Sequence, residues 1–425
     1  MNMSENPSRP LRNSRRICPK WRNRGAGSVV NDVMRGHIDQ QPNLYVEINL
    51  EEWVPADHPL RAIKRMADEA LAAMSRTLTS SYAARSRGGR PSIPPEQLLK
   101  AMLLMSLYTI RSERALCERI QFDMLFRWFL DLTPDEPCFD HSVFSLNRKR
   151  LHRLRVTKKF SDRIVLMAYE AGLLSEDHFS IDGSLLQSHA SLKSLKHMEE
   201  LRRLAEERDD DGDDNAGHAT PAINVGNPWV SFRGEKRSNK THRSTTDREA
   251  RLYTKTSGVA YLQHSMHVLM ENRHGIGVDI LVGKADGFAE RKCCLKMLDR
   301  VRKKLAIEPK TLGADKGYDM PDFLPELEGR KIKPHVACKS RKRIDVEDEA
   351  NIGLLARQAN QRRQRNKGYQ VSQRKRKLDE EVFGWLKQYG GLRRARVCGR
   401  WKIQQCANMA LSALNLIRIT RLLAT

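Results

Sequence analysis

Two short apolar runs in this chain each end on a single aspartate with a glycine one or two residues beyond. They are His178-Phe179-Ser180-Ile181-Asp182-Gly183 and Thr311-Leu312-Gly313-Ala314-Asp315-Lys316-Gly317. Runs this short, closed by glycine turns, read as strands buried in a sheet. An acid at a strand end projects from the sheet edge, where the ligand sites of α/β sheets collect. A fold suited to this sequence must carry both strand ends, and its chemistry depends on whether they are neighbours.

The chain between them completes the pattern. Leu262, His264, Met266, Val268 and Met270 share one face of Tyr261–Glu271, a turn follows at Arg273–Gly275, and Ile276, Val278, Ile280 and Val282 alternate with period two. That is a hairpin. Phe288–Lys303 has the spacing of an amphipathic helix, Asp319 and Pro321 open another, and Pro334–Ala337 reads as a fifth strand. The order strand, strand, strand, helix, strand, helix, strand, helix predicts an α/β fold. Its core is ribonuclease H-like, a mixed five-stranded sheet with helices.

An all-α region precedes it. Leu60, Ile63, Met66 and Ala70, then Leu98, Leu99, Met102, Leu103 and Leu107, follow helical spacing, with prolines at the start of each segment. A third helix runs from Ser112 through Trp128 and Phe129. A fourth, capped by Asp140 or Ser142, exposes Arg148, Lys149, Arg150, Arg153 and Arg155. That basic face suits a major-groove reader, or equally the solvated side of a bundle helix. The expected division is a disordered basic arm at 1–42, a helical DNA-binding domain at 43–174 and a catalytic domain at 175–425. A polar insertion, with the acidic run Glu206–Asp214, interrupts the last at 191–243. Met34 offers an alternative start within the arm.

If the two acidic strands are neighbours, Asp182 and Asp315 lie side by side. Close carboxylates repel unless they share a proton or a cation, and oxygen-only ligation suits Mg²⁺ or Mn²⁺. A third acid comes from a helix beginning near Val371. At about 100° per residue, Arg376, Glu380 and Lys387 fall within about 60° of one another, whereas Glu381 is turned away from Arg376. Helical geometry therefore selects Glu380. Two aspartates and a glutamate can hold two cations about 3.5–4 Å apart for in-line phosphoryl displacement, with Arg376 and Lys387 at the phosphates. Singly, each acid reads as a solvated turn or surface residue. Their joint order favours a metal site.

Ile181-Asp182-Gly183-Ser184, Gly313-Ala314-Asp315-Lys316-Gly317-Tyr318 and Arg376-x3-Glu380-x6-Lys387 resemble the three catalytic blocks of DDE transposases, most nearly those of the bacterial insertion-sequence-five family. Glu381-Val382-Phe383-Gly384-Trp385-Leu386-Lys387 with Gly390-Gly391-Leu392-Arg393 is similar to that family's third block. Val54–Arg61, Arg90-Pro91 before Pro94–Leu99, and Ser244–Leu252 also resemble its other regions. The resemblance spans Asn43 to Leu423. It implies Asp182, Asp315 and Glu380 as ligands of two Mg²⁺ or Mn²⁺ ions, and Arg376 and Lys387 as DNA-engaging residues. It implies strand cleavage at element ends followed by strand transfer into target DNA, by a homo-oligomer in the bacterial cytosol. Where the family often has Tyr three residues before the Arg, this chain has Gln373.

Charge agrees. Lys and Arg number 76 against 52 Asp and Glu, a net +24, which attracts a polyanion such as double-stranded DNA. Arg362, Arg363, Arg365, Lys367 and Arg374–Lys377 lead into the late helix, and Arg393, Arg394, Arg396, Arg400 and Lys402 follow it. Such flanking cations suit a groove that tracks phosphates. No apolar run approaches the roughly 18 residues of a membrane span. The eight cysteines lack metal or disulfide spacing and read as reduced thiols. Trp385, Trp401 and the methionines read as packing residues, and the C-terminal segment as an amphipathic helix closing the core or a dimer seam. The competing reading is a non-catalytic DNA-binding protein, a decayed or domesticated transposase acting as a repressor. A nuclease without strand transfer is a further one.

Overall fold

Proline in the first turn of a helix sacrifices no hydrogen bond, and Pro59 and Pro95 open two of the helices of the N-terminal bundle. The computed structural model describes residues 47–80, 82, 92–209, 237–254, 260–287, 289–339 and 351–424. The basic arm and most of the acidic run lie outside them. The bundle comprises α1 (Leu50–Trp53), α2 (Pro59–Ala73), α3 (Ser75–Thr79), α4 (Pro95–Leu107), α5 (Glu113–Phe122), α6 (Met124–Phe129), α7 (His141–Arg153) and α8 (Val156–Glu170). The segment read as one helix from Ser112 to Phe129 is thus two. The Asp123 carboxylate accepts from the Leu125 and Phe126 N–H groups, ending one helix and capping the next.

The second half begins with β1 (Phe179–Gln187), longer than the sequence pattern suggested. β2 (Leu195–His197), α9 (Met198–Asp209), β3 (His242–Ser244) and β4 (Arg251–Tyr253) follow, then the hairpin β5 (Tyr261–Glu271) and β6 (Gly277–Lys284). Next come α10 (Ala289–Leu305), β7 (Thr311–Ala314), α11 (Leu324–Gly329), β8 (Lys333–Val336), α12 (Ile352–Arg363), α13 (Lys367–Lys375), α14 (Leu378–Gln388) and α15 (Arg400–Leu423). The polar insertion has structure at its base, where β2 and β3 pair antiparallel.

The main sheet runs β6-β5-β1-β7-β8, with β4 extending it beside the start of β5. β5 is antiparallel to β1 and β6, while β7 is parallel to β1 and β8. Three antiparallel strands joined to two parallel ones around a central first strand is the ribonuclease H-like arrangement expected from the element order.

The bundle and the sheet share apolar packing. α15, buried around most of its middle, contacts α2, α4, α8 and β6. Asp279 of β6, fully buried, takes ion pairs from Lys158 of α8 (3.1 Å) and Arg300 of α10 (2.6 Å). The C-terminal helix therefore closes the core.

Candidate active site

β1 and β7 are hydrogen-bonded neighbours for a short distance, Phe179 opposite Leu312 and Ser180 opposite Gly313. Asp182 lies two residues beyond Ser180, and Asp315 two beyond Gly313. The acids therefore stand level, but only Asp315 follows a strand end: Asp182 lies within β1, which runs on along β5 to Gln187, two residues past its last pair with β7, where the sheet changes direction and ligand sites form. Each is held locally. Asp182 Oδ1 accepts from the Gly183 N–H (2.8 Å) and Asp315 Oδ1 from the Gly317 N–H (2.8 Å). Both are half-exposed.

The late helix approaches the face of β1 that carries Ser180 and Asp182. It is not the continuous helix read from the sequence: Arg376 and Lys377 form a tighter turn between α13 and α14, with hydrogen bonds spanning three residues. Arg376 Nη1 stands 3.8 Å from Asp182 Oδ2. Gln373, in the position where Tyr was expected, accepts from Arg376 Nε (3.4 Å) and donates to the carbonyls of Ala314 and His335. It braces the arginine against the ends of β7 and β8.

The tighter turn points Asp379, a residue the sequence reading passed over, into the protein. It is 2% exposed and accepts from Ser180 Oγ at 2.8 Å. Burial pushes its carboxyl up to about 8; the Ser180 hydrogen bond opposes this and the charge of Asp182 adds to it. A neutral acid here pins the start of α14 to β1. Ser180, two residues before Asp182, was the available signal, because a polar residue buried in a strand needs a partner. Glu380 is exposed and makes no ion pair among the described residues, and Glu381 is drawn off to Arg418 (2.8 Å).

The donor set is all oxygen, as Mg²⁺ or Mn²⁺ requires. Among the described residues no three acid, histidine or cysteine side chains converge as a ready cage. Mg²⁺ commonly takes one or two carboxylates and fills its remaining positions with water and phosphate, so the residues present fit it. The glycine at 317 matters to this acid, because a methyl group there would crowd Asp315 Oδ1 at 3.0 Å.

The cations divide. Arg148 is mostly buried, ion-paired to Glu113 and stacked on Phe144, which takes it out of the phosphate-contact set. Burial depresses its pKa. Lys149 and Arg150 are exposed, the latter over the Tyr82 ring. The Arg153 side chain lies outside the described residues. Arg362 and Arg365 are exposed, whereas Arg363 pairs with Glu328 (2.6 Å). Lys387 is half-buried on α14.

Strand order and level acids define a ribonuclease H-like domain with a carboxylate site at its switch point, fused to a helical bundle. The family follows from two matches: residues 48–150 match the Transposase domain (DUF772), and residues 237–416 match the Transposase DDE domain. Both matches are to transposase models, and together they indicate a DDE transposase. Asp315 and Glu380 fall inside the second match, while β1 and Asp182 precede it and enter the site through pairing with β5 and β7. No curated protein and no solved structure matches the chain. No described helix is long and apolar enough to cross a membrane.

Proposed function

We propose that this transposase cuts DNA at the ends of its element and joins the freed 3′-hydroxyls to target DNA, with both steps carried out at one site. The observation that carries the reading is the level placement of Asp182 and Asp315 where parallel β1 and β7 part. Asp182, Asp315 and Glu380 would hold the divalent cations, two in the in-line scheme. Bound there, the cations would activate the attacking oxygen and stabilise the leaving one. Asp379 fixes the height of α14 over β1, so that Glu380, next in sequence, is presented from the solvent side. Arg376, braced by Gln373, partly offsets the charge of Asp182 and binds a phosphate near it.

Exposed Lys149, Arg150, Arg362 and Arg365 extend the cationic track for duplex DNA, with Arg363 and Lys387 beside it. Paired element ends require more than one protomer on the DNA, so the working form is a homo-oligomer, acting in the compartment that holds the DNA. Supercoiled plasmid carrying the element ends, incubated with the full chain and Mg²⁺, tests the reading. Cleavage at the ends plus joined products supports it. DNA binding with neither product at any Mg²⁺ or Mn²⁺ concentration supports the repressor reading instead.

A further inference from the structure

Glu290 is an acid that neither the strand-end pattern nor the late helix brought forward. It sits in the first turn of α10, beside the point where β1 and β7 separate. A methyl group on Gly183 would lie 2.8 Å from Nδ1 of the buried His267 and 3.3 Å from Glu290 Oε1. One on Gly317 would lie 3.7 Å from Glu290 Oε2 and 3.0 Å from Asp315 Oδ1. The carboxylates of Glu290 and Asp315 therefore border one small space at Gly317, which a side chain there would crowd, with His267 beside it at Gly183. A favourable helix dipole accounts for an acid in the first turn of α10, but not for its placement against a second carboxylate.

An independent feature marks the same place. Tyr318 is 1% exposed, and its hydroxyl has no hydrogen-bond partner among the described residues. Burial raises its pKa well above the ordinary range, and Cys294, Glu290, Asp182 and Asp315 each add to the rise. The phenol thus lies within the field of all three acids. A buried hydroxyl without a partner is costly, and so are like charges brought close together. A hydrated hard cation relieves both.

Resting on the catalytic reading above, we infer that Glu290 is a fourth acid of the site. With Asp315 it holds a divalent cation, Mg²⁺ or Mn²⁺, in the space bordered by Gly183 and Gly317, and the Tyr318 hydroxyl bonds into that ion's hydration shell. Two carboxylates plus water and a substrate phosphate are an ordinary Mg²⁺ environment, so no third protein ligand is needed.

The test is Mn²⁺ binding to the full chain without DNA, followed by electron paramagnetic resonance, alongside cleavage and thermal unfolding in chelator. Glu290→Gln should weaken Mn²⁺ affinity about tenfold or more, with the metal-free unfolding temperature read alongside to separate a binding defect from a folding one. Gly317→Ala keeps both carboxylates but fills the space between them, and should weaken Mn²⁺ similarly even if the Gln variant folds poorly. Wild-type Mn²⁺ affinity in both variants overturns the inference. If Asp315→Asn loses Mn²⁺ and cleavage while Glu290→Gln keeps both, Glu290 drops out and the catalytic reading stands. If Asp182→Asn, Asp315→Asn and Glu290→Gln all keep both, the two readings fall together.

Discussion

Acids on and around this sheet are held in two contrasting ways. Asp247, Asp279 and Asp319 are closed. Asp247 bonds His264 (2.9 Å) and Ser188 (2.8 Å), Asp279 is bound by Lys158 and Arg300, and Asp319 by Arg357 (3.0 Å), with all three carboxylates out of solvent. Asp182 and Asp315 are open. They accept from neighbouring backbone N–H groups, remain partly exposed, and the Arg376 guanidinium stands at the outer limit of an ion pair. A closed acid has spent its acceptor capacity on the fold. An open one, partly exposed where β1 and β7 part, can meet a group arriving from solvent, and it can do so because the closed ones hold the frame.

The comparison breaks most decisively at the open acids. Asp182→Asn, Asp315→Asn or Glu380→Gln should lower DNA cleavage on the order of 10³-fold, with unfolding temperature and end binding near wild type. Loss of folding in these variants, with no separate catalytic effect, would place them among the closed acids. Asp279→Ala should do the reverse and destabilise the fold by about 3 kcal/mol, because Arg300 loses its carboxylate and Lys158 is left with Asp162 alone; denaturant titration measures this. A smaller effect is expected at Asp247→Asn, about 1–3 kcal/mol at neutral pH.

Asp247 also predicts a pH signature. Burial raises its carboxyl, but the hydrogen bond and charge of His264 and the Ser188 hydroxyl outweigh this and hold it below the ordinary range. The stability it contributes is therefore present above the unfolded value near 3.8 and is lost as pH falls through the lower folded value. Melting curves from pH 5 downwards should fall more steeply for wild type than for Asp247→Asn. Parallel curves would show that the network does not hold the ionised carboxylate.

Much of this was legible in the chain because strand ends, hairpin alternation and helix-opening prolines are local signals. The fold class followed from them, whereas the pairing of β1 with β7 that levels the acids stood in the sequence only as a condition. What stayed hidden depended on contacts between distant segments. Asp379 is turned inward by a tight turn at Arg376–Lys377, which a uniform 100° per residue cannot anticipate. Glu290 reads as an ordinary first-turn acid until the fold sets it beside Gly183 and Gly317. Asp123 broke a helix that apolar spacing carried straight through it, because a carboxylate that caps competes with helix continuation.

The cations repeat the contrast between closed and open groups, with smaller energies. In sequence Arg148 and Arg365 are equivalent members of basic runs. In the fold Arg148 is tied to Glu113 against the Phe144 ring, while Arg365 is exposed in the turn between α12 and α13. Each exposed cation that touches a phosphate releases about one counterion on binding, so its removal lowers the salt slope of DNA affinity by about one unit. Arg362→Ala and Arg365→Ala should each flatten the plot of log affinity against log salt by that amount and leave thermal stability untouched. Arg148→Ala should leave the slope at its wild-type value and lower the unfolding temperature instead, because Glu113 loses its partner in the bundle. Fluorescence anisotropy on duplex DNA at several salt concentrations, run beside melting curves, reads both quantities. A reduced slope for Arg148→Ala at full stability would show that the arginine leaves its carboxylate to meet the DNA.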